Sequence, residues 1–228
     1  GGVLQDCPAD LLACQGNLGT CNGGLTTCNG SLSTCDGNLT TCQGDLTTCQ
    51  AAPQGQRLKT GQTTCYDVAG TVIACAGTGQ DGELQKGLAR AYTDNGDGTI
   101  TDTKTSLMWE KLSDDGSIHD KDTFYTWTNA FATKVATLNS TSFAGFNDWR
   151  LPNINELLSL ANYGAVSPAI NAAFNTSCAP SCTVLTCSCT QSSFYWSSST
   201  YQDDPSYAWS VSFLDGGVYA KLKTFNVF

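Results

Sequence analysis

The hydrophobic pattern divides the chain before any other property is considered. Leu4, Leu11, Leu18, Leu25, Leu32, Leu39 and Leu46 recur every seven residues, each followed three positions later by Cys7, Cys14, Cys21, Cys28, Cys35, Cys42 or Cys49. Three-then-four spacing is the alternation of a and d positions in a heptad. A strand would put residues three apart on opposite faces, so the repeat predicts a parallel α-helical coiled-coil stalk over residues 1–50, with Leu at a and Cys at d. Pro8 is tolerated only near a helix start, which places the regular helix just beyond it. Fully helical, 4–49 would extend about 70 Å.

The periodicity stops at Gln50, and Pro53 ends any helix. Residues 51–91 read as a linker followed by a hairpin, with Asp67 and Gly70 at its turn, Thr71-Val72-Ile73 in its second arm, and Cys65 and Cys75 closing it as an intrachain disulfide. From residue 92 to 228 the pattern becomes that of a mixed globular head. Residues 123–139 have helical spacing, with Trp127, Phe131, Val135 and Leu138 on one face. Residues 153–161 predict a second helix, with Asn153 as N-cap and Glu156 three positions on. Residues 194–196 and 207–213 read as strands, and Gly216-Gly217 as a hairpin turn into 218–220. The predicted fold class is therefore α+β for the head, preceded by the stalk.

The polar heptad positions change the picture of the stalk. Gly16, Gly23, Gly30, Gly37 and Gly44 recur at one of them, and Thr or Ser fill most of two others. With glycine about 1 kcal/mol worse than alanine and threonine roughly half that, a heptad carries a helical deficit near ~2 kcal/mol. Interchain disulfides at d would compensate, a first crosslink contributing roughly 2–4 kcal/mol and later rungs less. Two chains pair every d-layer cysteine, whereas three leave one thiol per layer over, so dimer and trimer both stand. Free cysteines packed as small hydrophobes, or a thiolate metal ladder, are the alternatives to the disulfide ladder. Few charges sit at e and g, where Asp10, Asp36 and Asp45 are exceptions in a surface of Asn, Gln, Gly, Ser and Thr. Asn29-Gly30-Ser31 and Asn38-Leu39-Thr40 match the N-glycan sequon, a weak signal in such a composition.

Composition sets the compartment. Thirteen cysteines beside one histidine and one methionine point to an oxidising environment and an exported protein. A net charge of −9 disfavours nucleic acid and anionic membranes as partners. No apolar run approaches the ~18 residues of a membrane span. No leader pattern is visible, so Gly1 is expected to be a processed end.

Four ordered motifs in the head carry a resemblance. They are Thr93-Asp94-Asn95-Gly96-Asp97-Gly98-Thr99-Ile100-Thr101-Asp102 with Leu107-Met108-Trp109; Asp148-Trp149-Arg150-Leu151-Pro152-Asn153 with Glu156-Leu157; Tyr195-Trp196-Ser197-Ser198-Ser199; and Ala208-Trp209-Ser210-Val211-Ser212-Phe213 with Asp215-Gly216-Gly217-Val218. Together they resemble the Lcl-type C-terminal domain family, named after a bacterial collagen-like adhesin. The resemblance implies a compact α+β domain related to the C-type-lectin-like fold, on an outer-surface protein with an oligomerising stalk. The sequence departs from it in two places. An insertion carries Cys178, Cys182, Cys187 and Cys189, for which the nested pairing 178–189 and 182–187 is favoured among three connectivities. The chain stops at Asn226-Val227-Phe228, where relatives continue, and the short final strand is expected to be open to completion by a neighbouring chain.

Candidate sites follow, each beside its plainer reading. Asp94, Asn95, Asp97 and Asp102 outline a calcium loop, but the spacing is one residue short and no bidentate Glu follows, so a hairpin turn is preferred. Trp149 and Arg150 are read as locking the core, with Arg150 paired to Glu156 or Asp148, and as a ligand site second. Trp196 and Trp209 are read as core strand residues first and ligand platforms second. His119, in the polar stretch 114–122, is read as a solvated side chain. No nucleophile elbow, His-anchored triad or P-loop is present, so no enzyme and no cofactor are expected, calcium being the one candidate ion. The expected partners are other copies of the chain, as dimer, trimer or polymer, and a glycan at the head. Removing Asp6, Asp10, Asp36 and Asp45 from the 20 acidic residues leaves 16 in 57–228 against all 11 basic ones, which argues against a sulfated glycan.

Overall fold

In a computed structural model, the structure describes residues 39–41, 43 and 57–228. Two units are distinguished, 2–57 and Leu58–Phe228. In the first, residues 39–41 and 43 are helical and exposed. The rest of the predicted stalk, including Cys7, Cys14, Cys21, Cys28, Cys35, Cys42 and Cys49, lies outside the described residues.

The second unit is mixed helix and sheet, built around three small antiparallel sheets. β1 (Cys65–Tyr66) pairs with β2 (Val72–Ile73) across a turn in which Asp67 Oδ1 accepts from Ala69 and Thr71 N–H. A short helix α1 (Asp81–Leu84) follows. β3 (Tyr92–Asp94), β4 (Thr99–Asp102) and β5 (Met108–Glu110) form the second sheet, with Tyr92 opposite Asp102 and Ile100 opposite Trp109. β6 (Phe194–Thr200), β7 (Tyr207–Ser212) and β8 (Val218–Leu222) form the third. Gly216 at φ +82° makes the β7–β8 turn that the sequence placed there.

The helix expected over 123–139, here α2, begins later, at Trp127, and is not uniform. It runs through Trp127–Asn129, a π-helical stretch Ala130–Val135, and Ala136–Ser140. Tyr125 cannot join it because its backbone is bonded both ways to Val227, as a strand. Thr126 then caps the helix by accepting from Asn129 N–H. The wider π turn places Ala130 in the core and turns Lys134 towards Glu110. α3 (Ile154–Leu158) carries the expected capping box, with Asn153 and Glu156 each bonded to the other's backbone. It ends three residues sooner than the 153–161 pattern predicts; Arg90 donates to Ser159 O and Ala161 O just beyond it.

The third sheet is covered on both faces. Val211, with Tyr195 opposite it, faces one core with Ile100, Leu157, Leu160 and Phe174; Trp196 and Ala208 face another with Ala130, Val227 and Trp127. The strand period of two sends neighbouring residues of β7 into different cores. The C-terminal strand is not open at this edge: Phe228 exchanges backbone bonds with Phe194 and Trp196 on β6 while Val227 pairs with Tyr125. The segment 58–91 packs into the same unit. Leu58 bridges Leu88, and Tyr163 N donates to Thr60 O where Gly164 and Gly61 meet too closely for a side chain on Gly164.

Candidate functional site

The cysteines are the first group of candidate residues, and the six that are described are all paired within the chain. Cys65 bonds Cys75, closing the β1–β2 hairpin. Cys178 bonds Cys189 and Cys182 bonds Cys187, the nested arrangement. The two bridges stack, with Cys189 Sγ 3.7 Å from Cys182 Sγ and 3.8 Å from Cys187 Sγ. Cys187 and Cys189 are buried, and backbone bonds from Cys189 N to Leu112 O and between Asp114 and Cys182 fasten the insertion to the head. The insertion is therefore a stapled part of the domain.

The four residues that outlined a calcium loop do not converge. Asp94 Oδ1 accepts from Gly96 N, Asp97 Oδ1 accepts from Thr99 N and Oγ1, and Asn95 Nδ2 donates to Thr99 and Thr101 hydroxyls. These bonds fold the β3–β4 turn. Asp94 Oδ2 is 2.8 Å from Lys111 Nζ, and that bond holds the Asp94 carboxyl below its usual range. Asp102 sits at the opposite end of β4, buried beneath the sheet. The carboxylates that do gather among the described residues are Asp114, Asp120 and Asp122, and Lys121 already reaches Asp114 (3.3 Å) and Asp122 (2.5 Å).

The Asp148–Asn153 motif builds a clamp at the start of α3. Arg150 donates through Nη1 and Nη2 to the two oxygens of Glu156, both at 2.7 Å. Glu156 also accepts from Asn153 N, and these bonds hold its carboxyl below the usual range, Arg150 being the larger cause. The pair lies at the surface, with Arg150 58% and Glu156 21% exposed, so the expected lock on the core is a helix-start clamp. Trp149 points elsewhere. Its Nε1 donates to Phe143 O, its ring lies 5.4 Å from Phe143, and its backbone is held both ways by the Asn139 side chain.

The two strand tryptophans part ways. Trp196 is 2% exposed and its Nε1 donates to Tyr125 O, so it is a core residue closed to ligands. Trp209, on the other face of its strand, is half-buried against Tyr201 at 4.9 Å, with Tyr207 6.5 Å from Tyr201. These three aromatics form a partly open group beside the 202–206 loop. Trp209 is in this respect like Trp149, the other candidate ligand-binding tryptophan that is half-buried and not sealed in the core.

His119 departs from its expected setting. Its Nδ1 lies 2.6 Å from Glu110 Oε1, the same oxygen that receives Lys134 Nζ at 2.5 Å, and its ring packs at 4.4 Å on Phe143. All three side chains are 13–16% exposed. No sequence pattern points to this cluster, because Glu110 ends a strand, Lys134 comes from the π stretch of α2, and His119 sits in a polar loop. Among the described residues no side-chain hydroxyl is hydrogen-bonded to the imidazole, so the cluster holds a histidine–carboxylate pair without an attached nucleophile.

Comparison with known proteins sets this geometry in a family. The model of the Lcl C-terminal domain matches residues 98–228, more than half of the chain. No curated protein and no solved structure matches the chain. The matched region takes in β4, β5, the Asp148–Asn153 clamp, the nested disulfides and the whole third sheet, and the chain thus belongs to the Lcl C-terminal domain family.

Proposed function

We propose that the chain is a non-enzymatic, extracellular structural and adhesive surface protein, in which a disulfide-laddered Leu/Cys stalk joins copies and strings lectin-like heads into a filament or surface appendage. One observation carries the reading: each described cysteine is already bonded within its own chain. A head stapled in this way belongs to an oxidising compartment. The same compartment would oxidise the heptad cysteines, whose d-position spacing suits partners on a parallel neighbour. No described helix is long and apolar enough to cross a membrane.

Electron microscopy of native material tests the assembly, with continuous fibres expected. Non-reducing gels test the ladder, with covalent oligomers expected to collapse to monomer on reduction. Monomer without reductant would overturn the ladder, and isolated short rods would overturn the filament.

The second reading, a discrete oligomeric adhesin, rests on the open Tyr201–Tyr207–Trp209 group. Aromatic faces stack on sugar rings without needing charge, which suits a neutral glycan better than a sulfated one on this acidic head. A glycan array with the full chain tests it, and uniform silence counts against it.

A further inference from the structure

We infer that Arg90, Asp102 and Trp109 hold one buried water molecule between the β3–β4–β5 sheet and the end of α3, bound through Arg90 Nε, Trp109 Nε1 and Asp102 Oδ2. These three atoms are buried and have no hydrogen-bond partner among the described residues. Register puts the side chains of Asp102 and Trp109 on one face of the sheet. Ile100 and Asp102 share a face of β4, Trp109 lies opposite Ile100, and Tyr92 lies opposite Asp102. Arg90 joins the same face through Nη1, 3.5 Å from the Tyr92 hydroxyl, while Nη1 and Nη2 donate to Ser159 O and Ala161 O.

The rest of each side chain is committed. Asp102 Oδ1 accepts from Lys104 N and Thr105 N, which fixes the carboxylate and turns Oδ2 inward. The indole of Trp109 packs on the core of Ile100, Leu160 and Phe174. What remains is two N–H donors and one carboxylate acceptor under a sheet. Leaving each unpaired would cost roughly the desolvation of a polar group, so native proteins seldom do so. The chemistry selects the occupant. A cation is refused by two N–H donors, and an anion by the carboxylate. Water accepts from Arg90 and Trp109 and donates to Asp102, with its second proton available to the Tyr92 oxygen.

A high-resolution crystal structure of the full chain tests this directly. A single density peak within hydrogen-bonding distance of all three atoms is expected. Direct pairing of the three with one another or with other protein groups would overturn the inference. Asp102→Asn and Trp109→Phe test it in solution. In Asp102→Asn the two backbone donors keep the amide oxygen at the Oδ1 position, so the amide nitrogen faces two other donors and the water loses its acceptor. In Trp109→Phe the water loses one donor. Each change is expected to lower the Tm of the head by about 5 °C. If the three atoms were simply unpaired, Trp109→Phe would remove one buried orphan and Asp102→Asn would only exchange one for another, so a Tm unchanged or raised in both would overturn the inference. Should either variant fail to fold, the crystal structure of the unmodified chain decides.

Discussion

Glu156 serves Arg150 and the start of α3 at once: its two oxygens take the guanidinium, and one of them also accepts from Asn153 N. The folded-state pKa of Glu156 is depressed, first by Arg150. A depressed acid contributes stability that is present above its unfolded value near 4.5 and is lost as pH falls through the folded value. Arg150 is largely exposed, so the ion pair contributes at most about 1 kcal/mol. Arg150→Ala should therefore lower stability modestly at neutral pH and by less in acid. Denaturant titrations at several pH values between neutral and strongly acidic check this; a deficit that stays constant across them would refute the coupling.

The β3–β4 turn offers a graded pair of substitutions. Gly96 and Gly98 both have positive φ, +76° and +94°. A Cβ on Gly96 would meet nothing within 4 Å, whereas one on Gly98 would lie 2.9 Å from Phe143 Cζ and Val184 Cγ2. Gly96→Ala pays only the left-handed conformation, roughly 1–2 kcal/mol. Gly98→Ala adds a clash with two packed side chains, so it should be the more damaging by at least about 1 kcal/mol. Thermal melts of the two variants give the order, and equal losses would contradict it.

Trp196→Ala and Trp209→Ala should separate packing from binding. Trp196 is sealed in the core and bonded to Tyr125 O, so its loss should cost about 3–5 kcal/mol. Trp209→Ala should cost less, since the ring is partly open against Tyr201. If the head binds a glycan through this group, Trp209→Ala removes the array signal while the variant still melts cooperatively. A retained signal would move the binding face elsewhere.

Breaking the outer rung of the insertion should loosen the head without affecting the predicted ladder. Cys178→Ala with Cys189→Ala removes a bridge spanning 11 positions and should cost roughly 2–4 kcal/mol. The pattern of covalent oligomers on non-reducing gels should not change, because both partners lie in one chain. New oligomer bands would show that these cysteines also bond between chains.

Residue by residue, legibility in the sequence followed the range of the interactions. The capping box at Asn153 and Glu156, the β1–β2 hairpin and the Gly216 turn are set by neighbours within a few positions, and the chain spells them out. The faces of Trp196 and Trp209 could not be read in that way. Alternation separates inside from outside only when one face meets water, and this sheet is covered on both. The start of α2 was misplaced because Tyr125 answers to Val227, about a hundred residues further on. His119 was misread for the same reason: its partner Glu110 lies in another element, and a polar loop looks solvated until that partner arrives. The stalk remains an expectation of the heptad pattern.

The Cys65–Cys75 bridge also determines how the head answers tension. A pull on the chain at residue 57 meets the backbone contacts at Leu58 and Thr60, and then the hairpin. Without the bridge, opening β1 from β2 would let the span from Cys65 to Cys75, a sequence separation of 10, straighten by roughly 30 Å. With it, the two Cα atoms stay 5.1 Å apart and the loop is taken out of the load path. The hairpin then acts as an inextensible collar, and strain passes to the next segment of the head without lengthening the tether.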